Sequence, residues 1–495
     1  MVRRVLTGLV ACSLALAAAA SAQAAPERAV RRASARSPLA MRLDAMLDST
    51  PFDRALWGIA IADPSGRIVF ERNGQRLFQP ASNAKLVVSA VAAALLPPDF
   101  RFRTSVYAAV PIADGVLHGD LVLYGRGDPT LSDRYYPTRF GAFEALADQL
   151  RARGLSRVEG DLIADASYFD STTTHPSWEA YDLNWWYGAS VTALGFNDNA
   201  VDFSITPGVV GAPPIITLEP DLGLVRFTNR ARTVGFDQPR TLDFRRRPGT
   251  NDVWAEGDVP VDARPWTENF AVLDAPAWTA AAFRRALQGR GITVTGAVRV
   301  VYDPEATVAA RQSGGGALAE VRSRRLADII RPILETSHNW YAEMLLKTLG
   351  RELGRGGSWE AGLEVERRFL IDSLRVDSTM FRFADASGLS HWNLVAPRAF
   401  VQLLAAMRDH PRFEAFRDAL PVAGVRGTLR ARFRGTGLTG RVRAKTGSIA
   451  NTNTLSGYVE TASGVWTFSI QLNNHAASNR EALRRIDDIV TAFAR

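Results

Sequence analysis

Ser82 and Lys85 stand three residues apart in "ASNAKL" (81–86), a spacing that puts two side chains on one face of a helix and within reach of each other. A serine hydroxyl is a weak nucleophile until a neighbour removes its proton. Arginine cannot do this, because it holds its own proton at any working pH. Lysine can, once burial or a nearby cation lowers its pKa. The chain is sparing with lysine: of its 59 Lys and Arg residues, only Lys85, Lys347 and Lys445 are lysines. A surface lysine is the bland alternative at 85, and S-x-x-K alone is a weak motif.

Lys445 strengthens it by opening "KTGS" (445–448) on an expected strand. There the lysine supplies a fixed cation, Thr446 a hydroxyl, and Gly447 room for backbone to approach a bound substrate. An ordinary surface strand end is the alternative. Lys347 lies mid-helix in "LLKTLG", belongs to no motif and is assigned no role. Other chemistries find little footing. HExxH, GxxxxGK[ST], a strand-borne GxGxxG and GxSxG are all missing, and the six histidines show no ligand spacing. A Ser-His-Asp triad, whose members can lie far apart in sequence, stays open. "GRGDPTLS" (125–132) and "GFNDN" (195–199) are rich in oxygen ligands, but turn and strand-end chemistry explains them better than a metal loop does. No metal and no cofactor is expected.

These residues need elements to hold them. "LWGIAIAD" and "RIVFERN" read as two strands joined by a "PSG" turn. "NAKLVVSAVAAALL" (83–96) reads as a buried helix ended by two prolines, with Ser82 at or near its N-cap. From about 101 to 301 short strand-like runs alternate with Gly, Pro and Asp turns around one helix at 142–154. This middle stretch reads as a β-rich insert of two subdomains, the inner one at about 165–257. Helical patterns return at 317–335 and 340–353, followed near the end by three strands and a closing helix. One mixed α/β domain, built from 38–100 and 302–495 and interrupted by the insert, is the expected architecture.

At 495 residues there is room for two or three domains. "MVRR" followed by an apolar run to residue 20 and small residues at 20–24 reads as a secretory signal peptide over 1–24. Residues 25–37 read as a basic linker. No later stretch is apolar enough to span a membrane. Cys12 is the only cysteine, so an exported mature chain would use neither disulfides nor thiol chemistry. Most of the net charge of +8 sits in the first 37 residues, which removes the case for nucleic acid. A secreted or periplasmic location is expected.

S-x-x-K (82–85), S-x-N (337–339) and K-T-G (445–447), in this order, match the penicillin-recognising serine enzymes. Longer stretches resemble one branch of them: "FQPASNAKL", "GRGDPTLS", "YGASVTALGFNDN", "SHNWYAEMLLKTLG", "DASGLSHWNLVAP" and "LPVAGVRGTLRARF". That branch is the D-alanyl-D-alanine carboxypeptidase/endopeptidase family, or low-molecular-mass class C penicillin-binding proteins (peptidase family S13). The resemblance runs from about residue 40 to the C-terminus. It implies a serine β-lactamase/transpeptidase-like domain, an antiparallel sheet flanked by helices, with two inserted domains. It also implies an exported enzyme acting on peptidoglycan peptides and inhibited by β-lactams.

Carried over by residue, the resemblance makes Ser82 the nucleophile, Lys85 its proton acceptor and Ser337 the relay to the leaving amine. Asn339 would orient the acyl chain. Lys445 and Thr446 would hold the terminal carboxylate, with Lys445 helping to keep Lys85 neutral, Gly447 following in the same motif, and the N–H groups of Ser82 and Ser448 forming an oxyanion hole. His338, beside Ser337, invites a general-base role, but adjacent residues seldom face the same way. A β-lactamase or esterase on the same scaffold is the alternative within enzymes, and a non-catalytic wall-binding protein the alternative outside them. The balance of exo- and endo-cleavage and the oligomeric state are not legible.

Overall fold

The computed structural model describes residues 37–313 and 315–494; the expected signal peptide and residues 25–36 of the expected linker lie outside them. Five strands form the central sheet: β1 (Leu56–Ala62), β2 (Ile68–Arg72), β3 (Val442–Ile449), β4 (Thr452–Thr461) and β5 (Gly464–Asn473). Their spatial order is β2-β1-β5-β4-β3, antiparallel throughout. The two ends of the chain therefore meet, with Leu56 opposite Asn473 and Ala62 opposite Thr467.

Period-two alternation sorts the two faces of this sheet. Trp57, Ile59 and Ile61 join Phe468, Ile470 and Leu472 under α1 (Pro38–Leu47) and a C-terminal helix (Asn479–Ala494). Ala60 and Ala62 face the other way, against Val401 of a helix at Pro397–Arg408. On that side lies a helical layer centred on α2 (Lys85–Leu95). Every residue of α2 from Lys85 to Ala93 is buried, as expected of a helix with no polar face. It packs against α3 (Leu326–Glu335) and α4 (Asn339–Leu353), and α4 packs in turn against α5 (Trp359–Arg368).

The segment 317–335 is not one helix. Ala319–Arg322 is a strand, with Ala319 and Val321 buried in alternation, and the helix begins only at Leu326. That strand pairs with Arg103–Tyr107 at the edge of the insert's sheet, so the sheet continues past residue 301. The rest of this sheet is Leu121–Gly125, Leu162–Asp165 and Val298–Val301, which run parallel to one another. Parallel neighbours need crossovers, usually helical, and two helices supply them: the expected Gly141–Ala152 and a second at Ala275–Gly289. The second helix escapes the sequence reading because Pro276 stands at its start; Pro is well tolerated there. Asp274 caps it, accepting a hydrogen bond from Ala277 N–H. Between the parallel strands lies an all-β unit containing Ala200–Thr206, Ile215–Glu219 and Trp266–Ala271. Its Phe203, Phe244 and Phe270 share one apolar cluster with Phe143 and Phe283 of the two helices, so the inner and outer parts of the insert have a common core.

Candidate active site

Ser82 lies in a single 3₁₀ turn, Ala81–Ala84, that runs straight into α2, whose N-cap is Ala84. The turn is entered through Ala81 at φ 46°, a left-handed conformation uncommon away from glycine. Two glycines let backbone crowd around it. A Cβ on Gly388 (φ 79°) would run into the Ala81 carbonyl oxygen, and one on Gly447 would run into the Thr454 hydroxyl of β4 and press on Pro80 and Ala81. Gly447 thus lets β3 lie against β4 and the turn that carries Ser82, a task additional to the substrate approach expected of it.

Lys85 is completely buried. Its Nζ lies 2.9 Å from Ser82 Oγ, 2.7 Å from Asn339 Oδ1 and 2.6 Å from the carbonyl oxygen of Ser387. A neutral amine has two N–H donors and one lone pair. The Asn339 and Ser387 oxygens can only accept, so they take both donors and leave the lone pair facing the Ser82 hydroxyl. The Asn339 amide is fixed in that orientation because its Nδ2 donates to Tyr187 O at 3.0 Å. Its amide is therefore engaged at both ends by the protein, a task additional to the acyl-chain role expected of it. Burial pushes the Lys85 ammonium down to about 7, with Asp385 and Glu343 pulling the other way.

Lys445 is also fully buried, on edge strand β3. Its Nζ donates to Ser337 Oγ at 2.9 Å and to the Thr446 carbonyl at 2.7 Å. Burial and the charge of Lys85 hold it well below the ordinary lysine range. Ser337 precedes α4 with φ 65°. Because it accepts from Lys445, its own proton is free to point into the cleft. Thr446 Oγ1 donates to Thr428 Oγ1 at 2.8 Å.

His338 turns away from the nucleophile. Its Nε2 lies 3.1 Å from Asp198 of the insert, and its ring packs 4.3 Å from that of Tyr341. The oxygen-rich loops behave as turns: Asp128 accepts from Thr130 N–H at 2.8 Å, and Asn199 from Phe196 N–H at 3.0 Å. Among the described residues no group of three or more His, Cys, Asp or Glu is placed to hold a metal ion.

All eight expected site residues come together. Ser82, Ser337 and Ser448 line both a cleft of about 480 Å³ and a smaller recess of about 300 Å³. Asn339 lines the first, with Tyr187, Gly388 and Ala450. Thr446, Gly447, Thr428 and Arg432 line the second. The two lysines lie behind the walls. Ser387, Thr428 and the Tyr187 carbonyl were missed. All three fall inside the quoted stretches, but two act through backbone carbonyls, which carry no side-chain signature.

A serine hydroxyl 2.9 Å from a buried lysine whose hold on its proton is weakened, with a second buried lysine on the edge strand, is the arrangement that a serine hydrolase of the lysine-activated class requires. The chain belongs to the D-Ala-D-Ala carboxypeptidase 3 (S13) family, whose model matches residues 39–495. A D-alanyl-D-alanine carboxypeptidase from an Actinomadura species is 35% identical over 447 residues, 88% of this chain and 80% of that protein. The carboxypeptidase DacB of Haemophilus influenzae is 25% identical over 434 residues, 84% of this chain and 85% of that one. The crystal structure of penicillin binding protein 4 from the same organism shares the fold. Its TM-score is 0.78 at 24% identity, covering 91% of this chain and 97% of that one.

Proposed function

We propose that the protein is an exported serine carboxypeptidase that cleaves D-Ala-D-Ala ends of peptidoglycan stem peptides through an acyl-enzyme on Ser82, and that it also opens cross-links. The observation that carries this reading is the three-way hydrogen bonding of Lys85, which leaves its lone pair for one hydroxyl. Lys85 takes the Ser82 proton as Oγ attacks the carbonyl carbon of the penultimate residue. The negative charge that develops sits near the N-terminal end of α2, where the helix dipole favours it. The C–N bond then breaks as Ser337 passes its proton to the departing amine and is reprotonated with the proton that Lys85 took from Ser82. Water releases the acyl group, and the proton it loses restores the starting state.

The smaller recess suits the substrate's terminal carboxylate, held by the Thr446 and Thr428 hydroxyls above Lys445. A carboxylate arriving there favours the charged form of Lys445, and that charge in turn favours a neutral Lys85. Beyond Ala444, whose N–H donates to the Pro421 carbonyl, the edge of β3 offers backbone groups to an extended peptide. Export is supported by the basic, then apolar, N-terminal sequence; no helix among the described residues is long and apolar enough to cross a membrane.

Incubation with penicillin followed by peptide mass mapping is expected to place the adduct on the peptide containing Ser82. Digestion of cross-linked and uncross-linked muropeptides is expected to release D-alanine and monomers. Absence of an adduct would refute the catalytic reading, and adduct turnover in well under a second would favour a β-lactamase.

A further inference from the structure

Glu343 lies one helical turn beyond Asn339 on α4, buried without exposure and lining neither recess of the site. Its Oε1 accepts the Ser387 N–H at 2.7 Å. Its Oε2 accepts the Trp359 indole N–H at 2.8 Å and the Ala386 N–H at 3.3 Å. Ser387 is the residue whose carbonyl takes a proton donor of Lys85 at 2.6 Å. The carboxylate therefore grips the loop by two successive N–H groups, on the residue that aims the base and on the one before it. Gly388, next in the chain, lies against the Ala81 carbonyl at the entrance to the nucleophile's turn. A shift of this loop would move the Ser387 acceptor relative to Lys85 and Ser82 together.

We infer that Glu343 is a positioning residue for the reaction, holding the 386–387 backbone so that Ser387 occupies one donor of Lys85 and the lone pair stays on Ser82. This rests on the assignment of Lys85 as the base. Asn339 and Glu343, four residues apart on one helix face, would then fix the two acceptors of the base from a single rigid element. A carboxylate suits this task better than an amide. Both its oxygens accept, as the three surrounding N–H groups require, whereas an amide would turn an NH₂ towards one of them.

The carboxylate also acts on Lys85 through its charge. The groups around it are Lys85 from α2, Asp385 from the loop, Glu366 from α5, Lys347 one turn on in α4, and His175 of the insert beside Trp359. Burial and Asp385 push the Glu343 carboxyl up to about 7, against the pull of its N–H partners. Burial, with Glu343 and Asp385 adding, holds Glu366 well above the carboxylate range. An ionised Glu343 favours the ammonium of Lys85, so its loss lets Lys85 shed its proton at lower pH.

The test is the rate constant for acylation by labelled penicillin, separated from the dissociation constant of the preceding complex and measured from pH 5 to 9. Glu343→Gln is expected to lower the acylation constant at least tenfold with the dissociation constant little changed, and to move the acid limb to lower pH. Glu343→Asp, which keeps the charge, is expected to restore the wild-type limb while remaining slower. Wild-type rates and an unshifted limb in Glu343→Gln would overturn the inference. So would an equal loss in both constants without a shift, the mark of a merely structural role. If Glu343→Ala fails to fold, the Gln and Asp pair still decides. Wild-type protein that takes up no penicillin would instead count against the proposed function itself.

Discussion

Asn339 Oδ1 and Lys85 Nζ lie 2.7 Å apart, joining helices that are 254 residues distant in the chain. The long insert between them supplies the Tyr187 carbonyl that fixes which end of the Asn339 amide faces the lysine. The insert thus reaches Lys85 through Asn339. Asn339→Asp keeps the shape but places a carboxylate against Lys85. An opposite charge at this distance favours the ammonium and raises its pKa by about 1–3 units. Acylation by penicillin at pH 7 is expected to fall at least about tenfold and to recover as pH rises towards 9. A loss that stays constant with pH would count against this account of the lysine.

Lys85 sheds its proton at about 7, so the acylation rate of the wild type is expected to climb through neutrality and level off above it. Lys85→Met removes the amine at similar length and is expected to abolish acylation at every pH. Stability carries the same signature. The folded-state pKa lies below the unfolded one near 10.5, so between these values the unfolded chain binds the extra proton. This contribution to stability rises with pH. The advantage in Tm of Lys85→Met over the wild type is therefore expected to shrink between pH 7 and 10. A flat acylation profile from pH 5 to 9 would contradict the assignment.

Two glycines with nearly the same backbone separate strain from contact. Gly388 has φ 79° and no room for a Cβ beside the Ala81 carbonyl, whereas Gly437 has φ 80° and nothing within 4 Å. Alanine at either position incurs the left-handed backbone cost, about 1–3 kcal/mol. Only Gly388→Ala must also displace the nucleophile's turn or the Ser387 loop. Acylation is expected to drop at least tenfold in Gly388→Ala and to stay near wild type in Gly437→Ala. Equal effects on both would show that the loop does not constrain Ser82.

Side-chain chemistry made much of the site legible in the sequence. The scarcity of lysine singles out Lys85 and Lys445 because a titratable amine does work that arginine cannot. The terminal strands and α2 follow from apolar patterning. What stayed hidden is tertiary or belongs to the backbone. The Ser387 carbonyl and the left-handed Ala81 have no signature in residue type. The strand at 319–322 was absorbed into a neighbouring helix, since four alternating residues cannot outweigh a long helical period. Burial also overrules motif logic. Lys347, with no motif and no assigned role, turns out to be wholly enclosed.

Lys347 Nζ donates to Asp170 at 2.7 Å and to the Thr172 carbonyl at 2.5 Å, and lies 3.9 Å from the centre of the Trp359 ring. Both acceptors belong to the insert and the ring to α5, so this one amine ties the insert to the helical layer. Arginine, which would be silent at an exposed helical site, must here fit a larger planar head into a filled space. Overpacking of this kind costs about 1–3 kcal/mol, and the bonds to Asp170 and Thr172 cannot keep their geometry. Lys347→Arg is expected to lower the denaturant midpoint accordingly. Lys347→Met, which keeps the volume and loses the ion pair, should also destabilise. The partial exposure of Asp170 lets water take up its carboxylate, which holds that loss below the roughly 3–5 kcal/mol of a fully buried pair. Because Lys347 lines neither recess of the site, the folded fraction of Lys347→Arg, which keeps the charge near Glu343, is expected to acylate at a near wild-type rate. Unchanged midpoints in both variants would show that the enclosed amine contributes nothing to the junction.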